Sequence, residues 1–234
     1  MDLRIKLFQD TADLSAMIEA HRRDLVNGFT TNPTLMRNAG LSDYKTFAKN
    51  AIAAIPDLPI SFEVIADDFD TMEREAREIA SWGGDTYVKI PITNTKADSA
   101  APLIRKLSTE GFSVNVTAVL TLDQVETVAA AACGARIIVS VFAGRVADTG
   151  VDPIPMMTKA AGILNSVPNA ELLWASPREV LNVVQAQECG CHIITATSDL
   201  IAKLSLLGTD LHAYSLQTVK MFHDDARAAG FKLV

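Results

Sequence analysis

The chain has 234 residues, of which 49% are hydrophobic, and a formal net charge of −7. This length and composition allow one sizeable buried core, and the acidic balance without a basic run argues against nucleic acid or an anionic membrane as a partner. Lys, Asp, Glu or Pro interrupts every apolar stretch before it reaches membrane-spanning length, and the N-terminus lacks the apolar core of a signal peptide.

The three cysteines are too few for a disulfide framework and predict a protein of the reducing cytoplasm. They are Cys133, Cys189 and Cys191. The segment Cys189-Gly-Cys191-His192 has residue types that bind metals, but no second Cys/His pair accompanies it and it leads into an apolar run. We therefore expect small buried thiols there rather than metal ligands.

Eight short runs rich in β-branched and apolar residues recur along the chain, and a segment of helical period follows each one. The predicted strands are residues 3–10, 28–32, 60–65, 86–92, 113–119, 136–142, 172–176 and 192–197. The predicted helices lie near residues 13–25, 43–54, 68–81, 98–110, 121–132, 154–165, 177–188 and 199–206. A further helix is predicted near residues 212–229, where it either covers the domain or contacts a neighbouring subunit.

This alternation predicts the α/β class, with a parallel sheet that helices cover on its faces. Eight units within a single domain of residues 1–234, with no linker between them, favour a closed (β/α)8 TIM barrel with an additional C-terminal helix. No Gly-rich phosphate fingerprint follows any strand, which argues against a Rossmann fold.

Local signals predict where several helices begin and end. Thr121-Leu-Asp-Gln124 and Ser176-Pro-Arg-Glu179 have the spacing of a capping box, the second with a proline at the first helical position. The helix that precedes Pro56 is expected to end at Ile55, because the residue before a proline disfavours helical geometry.

One lysine lies in the middle of the most strand-like run, Tyr87-Val88-Lys89-Ile90-Pro91. An ammonium group inside a hydrophobic run is unfavourable unless it is paired or loses its proton, and a neutral lysine is a nucleophile that forms a Schiff base with a ketone. Lys89 could instead extend its ammonium to solvent at the strand end or pair with a carboxylate.

Polar residues stand at the C-terminal ends of seven of the eight predicted strands, where (β/α)8 barrels place their catalytic side chains. An interior that holds two acids and a lysine predicts an acid/base site with an amine nucleophile. The residues are Asp10, Asn32, Glu63, Lys89, Asn115 with Thr117, Ser140 and Ser176.

Several of these residues also have a purely structural interpretation. Asp10 could cap the first helix, and Asn32-Pro33 is a common turn signal. Glu63 could do no more than neutralise Lys89. Lys6 is mid-strand as well, nearer the opposite end of the barrel, so strand position alone does not establish chemistry.

Seven short motifs, spread over most of the chain, resemble those of one enzyme family. They are Phe8-Gln9-Asp10-Thr11-Ala12, Phe29-Thr30-Thr31-Asn32-Pro33-Thr34, Glu63, Val88-Lys89-Ile90-Pro91, Asn115-Val116-Thr117, Ser140-Val141-Phe142-Ala143-Gly144-Arg145 and Ala175-Ser176-Pro177-Arg178. In this order they are similar to the transaldolase family in its short form, close in length to the fructose-6-phosphate aldolase branch. The resemblance implies a (β/α)8 barrel that forms a Schiff base with no metal or organic cofactor. It also implies small-molecule sugar phosphates as partners and a homo-oligomer, either a pentamer or a decamer.

The resemblance further implies a role for each site residue. Lys89 attacks the C2 carbonyl of a ketose, Asp10 takes the proton of the C4 hydroxyl, and an aldose leaves while a dihydroxyacetone unit stays on the lysine as an enamine. Glu63 and Thr117 hold a water that relays protons during imine formation. The implied substrate-binding residues are Asn32, Asn115 and Ser176 for the three-carbon unit, Ser140 and Phe142 on one face of the same site, and Arg145 and Arg178 for the acceptor phosphate.

Two positions favour transfer over simple aldol cleavage within this family. The aldolase branch has tyrosine where Phe142 stands and glutamine where Glu63 stands. Phe142 has no hydroxyl to orient a water that would release the enamine. The resemblance therefore implies a transaldolase that takes the unit from fructose 6-phosphate or sedoheptulose 7-phosphate to an aldose phosphate.

Three alternatives stay open at this point. The chain could be a fructose-6-phosphate aldolase that releases free dihydroxyacetone, or it could act on a sugar with another anionic end, such as a sulfonate. It could also be a catalytically silent barrel that serves binding or assembly. Val141 and Pro177 depart from the usual Ser-Pro-Phe and Ser-Phe-Arg of the family, and Pro177 alters the backbone that leads to the anion-binding end.

Overall fold

The computed structural model describes residues 3–233 and contains a closed barrel of eight parallel strands. The strands are β1 (Lys6–Asp10), β2 (Gly28–Thr30), β3 (Ile60–Glu63), β4 (Thr86–Pro91), β5 (Val114–Val119), β6 (Ile137–Val141), β7 (Ala170–Trp174) and β8 (Ile193–Ala196). Each strand pairs with the next one along the chain, and β8 pairs with β1 to close the barrel. The predicted (β/α)8 TIM barrel is therefore confirmed.

Eleven α-helices lie within residues 3–233, and one or two of them follow each strand. They are α1 (Leu14–Arg22), α2 (Pro33–Asn38), α3 (Tyr44–Ala54), α4 (Phe69–Ala80), α5 (Ala101–Thr109), α6 (Leu122–Ala131), α7 (Ala143–Asp148), α8 (Ile154–Leu164), α9 (Leu181–Glu188), α10 (Ser198–Ala202) and α11 (Leu211–Ala228). A 3-10 turn, Lys203–Leu206, continues α10. Only the two six-residue helices, α2 and α7, were not predicted from the sequence. Within this part of the chain, no helix is both long and apolar enough to cross a membrane.

Local signals explain several helix boundaries. Thr121 and Gln124 form both hydrogen bonds of the predicted capping box at the start of α6. α3 ends at Ala54, one residue before the predicted end ahead of Pro56. Other helices begin after an aspartate whose carboxylate accepts backbone N–H bonds, namely Asp13, Asp43, Asp68 and Asp210.

The predicted capping box at Ser176 is wrong. Ser176 has a φ of +58°, in the left-handed region rather than the extended conformation of an N-cap, and α9 begins only at Leu181. The loop after β7 instead turns across the start of α7, where the Ser176 carbonyl lies directly against Gly144. A Cβ at position 144 would overlap that carbonyl, so only glycine permits the approach.

Two hydrophobic clusters stabilise the barrel. A large cluster lies between the strands and the helices, and a smaller one fills the inside of the barrel. The inner cluster is built around Phe8, Tyr87, Ile138, Leu173 and Ile193. Its residues precede the polar strand ends along β1, β4 and β6, so they form a solid floor beneath the C-terminal rim.

The C-terminal helix α11 does not cover the barrel, because none of its residues is buried. Its large apolar side chains face solvent, with Leu211 79%, Val219 60% and Phe222 63% exposed. Of the two roles expected for this helix from the sequence, covering the domain is therefore wrong.

Candidate active site

A cavity of about 520 Å³ opens at the C-terminal ends of the strands, the rim where barrels of this kind place their chemistry. Nine of the eleven predicted site residues line it, while Asn115 and Arg178 do not. The nine are Asp10, Asn32, Glu63, Lys89, Thr117, Ser140, Phe142, Arg145 and Ser176.

Lys89 lies buried at the floor of this cavity. Its Nζ donates a hydrogen bond to the carbonyl of Thr31 at 3.0 Å and lies 3.4 Å from Oε2 of Glu63. The two residues are paired in the register of β3 and β4, which brings their side chains together on the inner face. The extension of Lys89 to solvent is thus wrong, and the pairing with a carboxylate is confirmed.

Asp10, at the end of β1, is held by threonines from the two neighbouring strands. Thr30 Oγ1 donates a hydrogen bond to Asp10 Oδ1 at 2.7 Å and lies 2.6 Å from Oγ1 of Thr195. Burial raises the pKa of the Asp10 carboxyl, whereas the Lys89 ammonium and the Thr30 hydrogen bond lower it less. Asp13, not Asp10, caps α1.

Burial also raises the pKa of the Glu63 carboxyl, and the nearby Lys89 ammonium opposes this shift without cancelling it. Both acids therefore hold a proton at higher pH than exposed carboxyls do. An amine between two such acids can exchange protons with either of them, which is the requirement for general acid/base catalysis around an amine nucleophile.

Asn115 supports the site from beneath and does not line the cavity. Its Oδ1 accepts a hydrogen bond from Ser140 Oγ at 2.7 Å, and its Nδ2 donates to Ser61 Oγ at 3.0 Å. Thr117, two residues along β5, does line the cavity. Its buried hydroxyl has no hydrogen-bond partner within residues 3–233, so this hydroxyl can serve a bound molecule.

Asn32 is both a cavity residue and a helix cap. Its Oδ1 accepts a hydrogen bond from the backbone N–H of Leu35 at 2.9 Å, with Pro33 at the first helical position of α2. The Asn32-Pro33 pair therefore begins a short helix, and this helix fixes the position of the Asn32 side chain at the rim.

The two predicted anion-binding arginines have different surroundings. The Arg145 guanidinium lies over the ring of Phe142, 5.4 Å from its centroid, and both residues line the cavity. Arg178 lies outside the lining, where Nε and Nη2 donate to the carboxylate of Asp148. Asp148, three residues beyond Arg145 in the sequence, is therefore paired with Arg178. The third guanidinium nitrogen of Arg178, Nη1, donates no hydrogen bond to Asp148.

Comparison with known proteins identifies the family. The model of the Transaldolase/Fructose-6-phosphate aldolase family matches residues 7–233. The chain belongs to this family. A probable transaldolase of Thermoanaerobacter sp. (strain X514) is 34% identical over 230 residues, which cover 98% of this chain and 100% of the relative. A probable transaldolase of Streptococcus agalactiae serotype V is 36% identical over 201 residues, 86% of this chain and 89% of the relative.

More distant solved structures share the fold of this transaldolase/fructose-6-phosphate aldolase family member. The dihydrodipicolinate synthase of Rhodopseudomonas palustris superposes with a TM-score of 0.61 at 12% identity, over 86% of this chain and 74% of that chain. KGPDC from Streptococcus mutans superposes with a TM-score of 0.58 at 11% identity, over 85% and 90%. At this identity the likeness concerns the barrel alone.

Two polar residues beside Asp10 were not predicted from the sequence as site residues. Thr30 and Thr195 both line the cavity and form a hydrogen-bonded pair. Thr195 lies in an otherwise apolar strand, between Ile194 and Ala196. The signal that selected the other site residues, a polar side chain in an apolar run, was thus present at the eighth strand too.

The segment Cys189-Gly-Cys191-His192 has no role at the cavity. Cys189 and Cys191 are buried free thiols, and burial raises the pKa of the Cys191 thiol. Nδ1 of His192 accepts a hydrogen bond from the backbone N–H of Leu172 at 3.0 Å. Within the described chain, no group of three or more His, Cys, Asp or Glu side chains could hold a metal ion.

Proposed function

We propose that the protein is a transaldolase that transfers a dihydroxyacetone unit from a ketose phosphate, such as fructose 6-phosphate or sedoheptulose 7-phosphate, to an aldose phosphate. The observation that carries this proposal is the buried Lys89 at the cavity floor. Its amine lies 3.4 Å from the Glu63 carboxylate and interacts electrostatically with the Asp10 carboxylate. An ion pair that only stabilised the fold would have no need of a cavity above it.

The first step forms the imine. The Nζ amine of Lys89 attacks C2 of the ketose, and the carbinolamine then loses the C2 hydroxyl as water. Glu63 is suited to move the protons of this step, because its carboxylate lies 3.4 Å from the amine and burial raises the pKa of its carboxyl above the ordinary value. The free Thr117 hydroxyl would bind the water that carries these protons.

The second step breaks the C3–C4 bond. Asp10 takes the proton of the C4 hydroxyl, the aldose leaves, and the electron pair of the broken bond moves into the C2–C3 bond to give an enamine on Lys89. The hydrogen bond from Thr30 orients the Asp10 carboxylate for this transfer. Transfer reverses the step: the enamine carbon attacks the aldehyde of the acceptor, Asp10 returns the proton to the new hydroxyl, and hydrolysis frees the lysine.

Polar residues around the rim would hold the three-carbon unit. Asn32, Ser140 and Ser176 line the cavity, and we assign them to its hydroxyls. Asn115 would act through Ser140, whose hydroxyl it orients. Phe142 offers no hydroxyl that could direct water to the enamine, which supports transfer over release of free dihydroxyacetone.

Arg145 and Arg178 would bind the anionic end of the substrate. Arg145 is already in the cavity lining, and its cation–π contact with Phe142 leaves its N–H groups available. Arg178 uses two of its nitrogens on Asp148, so we assign it a smaller share through Nη1. A planar guanidinium suits phosphate and sulfonate alike, and competition between fructose 6-phosphate and its sulfonate analogue measures which anion the site prefers.

Borohydride trapping tests the proposed function. The protein is incubated with fructose 6-phosphate, reduced, digested and mapped by mass spectrometry. We expect an adduct at Lys89 alone, and labelling at Lys6 or Lys203 instead would overturn the assignment. A parallel assay with and without erythrose 4-phosphate separates the two activities, because a transaldolase forms product only with the acceptor, whereas an aldolase releases dihydroxyacetone without it.

We also propose that the protein is a homo-oligomer and that α11 forms the contact. The helix has no buried residue, yet Leu211, Val219 and Phe222 expose much of their apolar surface. Sedimentation of Phe222→Asp should show dissociation, whereas the charge-reversed Lys220→Asp on the same helix should sediment as the wild type. A monomeric wild-type protein would contradict the proposal.

The cysteines support our proposal that the protein works in the reducing cytoplasm. Cys133 is exposed, Cys189 and Cys191 are buried, and all three are free thiols. Fractionation of the producing cells, with the protein detected by antibody, tests this location.

A further inference from the structure

The last carbonyl of β3, that of Glu63, has no amide donor in the adjoining strand. Between β2 and β3, the N–H of Phe29 donates to the carbonyl of Pro59 at 2.9 Å, and the N–H of Thr31 donates to the carbonyl of Ser61 at 3.2 Å. The ladder advances two residues on each strand, so its next rung would join the N–H of residue 33 to the carbonyl of residue 63. Residue 33 is a proline without an N–H and is also the first residue of α2, so the ladder has no further rung and the Glu63 carbonyl has no backbone donor on this side.

The hydroxyl of Tyr44 takes the place of this missing donor. It donates a hydrogen bond to the Glu63 carbonyl at 2.9 Å. Tyr44 is the first residue of α3, and the cap formed by Asp43 with the N–H of Thr46 fixes that end of the helix. The side chain therefore reaches β3 from a well-anchored position.

The Tyr44 ring is fixed by two other aromatic rings. It lies at 6.3 Å and 58° from Phe62, and at 5.7 Å and 77° from Trp82. Trp82 is itself held by a hydrogen bond from Nε1 to Glu78 at 3.0 Å. Burial raises the pKa of the Tyr44 phenol, so the phenol keeps its proton and its donor role throughout the pH range of an assay.

The position of this carbonyl matters because it belongs to the residue that contacts Lys89. The Glu63 carboxylate lies 3.4 Å from Nζ, and the next backbone N–H, of Val64, donates to the carbonyl of Lys89 at 3.0 Å. A shift of the strand end would move the Glu63 carboxylate relative to the amine of Lys89. A displacement of about 1 Å between reacting groups can slow a reaction substantially.

We propose that Tyr44 is a positioning residue for the active site: its hydroxyl replaces the amide that Pro33 lacks and so holds the Glu63 carboxylate against Lys89. This inference rests on the proposed function, in which Glu63 carries the protons of imine formation. Tyr44 itself touches neither Lys89 nor the substrate, so its removal should affect the step that needs Glu63 and spare the cleavage step that needs Asp10.

The first test compares Tyr44→Phe with Tyr87→Phe. Each variant loses one hydroxyl from a largely buried ring, but Tyr87 lies in the inner cluster beneath the site, with the Arg136 guanidinium over its ring. We expect the rate of borohydride-trappable adduct formation to fall about tenfold in Tyr44→Phe, since the half-buried Glu63 carbonyl loses its hydrogen-bond partner, and to change less than twofold in Tyr87→Phe. Cleavage from preformed adduct should be unchanged in both. Equal rates of adduct formation in the two variants would overturn the proposal.

The second test needs no substrate and so separates this inference from the proposed function. The Glu63 carboxyl is titrated by carbon-13 NMR in the wild type and in both variants. Because burial is the main cause that raises the pKa of Glu63, a loosened strand end should lower that pKa in Tyr44→Phe and leave it unchanged in Tyr87→Phe. An unaltered Glu63 titration in Tyr44→Phe would overturn the positioning role. A wild type that is never trapped at Lys89 would overturn the proposed function instead.

Discussion

Each end of the barrel carries one lysine–glutamate pair, and the two pairs differ in burial rather than in chemistry. At the C-terminal rim, Lys89 and Glu63 lie 3.4 Å apart with side chains 7% and 18% exposed. At the opposite end, Lys6 and Glu171 lie 2.7 Å apart with side chains 53% and 25% exposed. The shorter contact is the exposed one, so distance alone would not select the pair that we propose to be reactive.

The comparison shows what burial adds. An exposed pair contributes about 0–1 kcal/mol to stability, and water solvates either partner if the other is lost. In a buried pair, water cannot replace a lost partner in this way. Desolvation therefore raises the pKa of the Glu63 carboxyl even though the adjacent Lys89 ammonium lowers it. The same kind of residue pair is therefore largely solvated at one end of the barrel and desolvated at the other, where we propose that it exchanges protons.

The largest expected effect comes from exchanging the lysine at each end. Lys89→Arg should retain the barrel yet lose all transaldolase activity and all borohydride trapping, because a guanidinium does not form an imine. Lys6→Arg keeps an ion pair with Glu171 and should keep near wild-type activity. Steady-state assays of both variants, with circular dichroism as the folding control, measure the contrast, and measurable turnover in Lys89→Arg would contradict it.

The acids come next in size. Asp10→Asn should still form the imine but lose cleavage by about 10²–10⁴-fold, and Glu63→Gln should slow imine formation by a comparable factor. Rapid-quench trapping separates the two steps. Glu171→Gln, at the exposed pair, is the matched control and should leave both steps unaffected. Near-normal turnover in Asp10→Asn would mean that Asp10 has a structural role only.

The arginines at the two ends of the barrel sharpen the comparison further: Arg145 lines the cavity, and Arg178 near it pairs with Asp148. Arg145→Ala should lower kcat/KM for fructose 6-phosphate about ten- to a hundredfold, and for unphosphorylated fructose far less, because a charge-assisted hydrogen bond to phosphate contributes about 1.5–3 kcal/mol. Arg178→Ala should show the same selectivity with a smaller loss, since Asp148 already engages two of its nitrogens.

Arg136, which pairs with Asp85 at the opposite end, supplies the control. Arg136→Ala should change stability without distinguishing the two sugars. Equal losses for both sugars in Arg145→Ala would place the anion site elsewhere.

A smaller effect is expected at Phe142. Phe142→Tyr adds a hydroxyl at the cavity wall that can direct water to the enamine, so the ratio of free dihydroxyacetone to transfer product should rise about severalfold. Enzymatic determination of both products in one reaction mixture gives the ratio. An unchanged ratio would mean that the fate of the enamine is decided by other residues.

The smallest effect concerns stability. The Asp10 carboxyl has a higher pKa in the folded than in the unfolded chain, so between these two pKa values the folded state binds more protons and stability falls as the pH rises. Asp10→Asn removes this contribution. Its free energy of unfolding relative to the wild type should therefore increase from pH 4 to pH 8, as measured by urea denaturation, and a decrease over that range would contradict the cause assigned to the shift.

Periodicity was sufficient to predict the barrel, but not its shortest helices. α2 and α7 have only six residues, too few to show a helical period, and α2 begins at Asn32-Pro33, which is also a common turn signal. Ser176 shows the opposite error. Its spacing to Glu179 fits a capping box, yet Ser176 is left-handed where its carbonyl lies against Gly144, a conformation that no local pattern predicts.

For the site, the sequence predicted which polar residues lie near the rim, but not which of them line the cavity and which bond to other side chains. Asn115 and Thr117 stand on one face of β5, yet only Thr117 reaches the cavity, because Asn115 is used by Ser140 and Ser61. The Arg178–Asp148 pair joins the loop after β7 to the end of α7, and these two segments are close only in the closed barrel. Such choices depend on contacts between distant segments, which neither propensity nor spacing encodes.

The closure of β8 onto β1 also sets when the site comes into being. Asp10 lies near the start of the chain, and the hydrogen-bonded threonines beside it come from β2 and from β8, the last strand to be synthesised. During translation, β1 is synthesised early, whereas Thr195 in β8 is encoded about 185 codons after Asp10. A nascent chain that lacks β8 therefore has Lys89, Glu63 and Asp10 but lacks the Thr195 hydroxyl beside Thr30, so under the proposed function the cleavage step would become possible only near the end of translation.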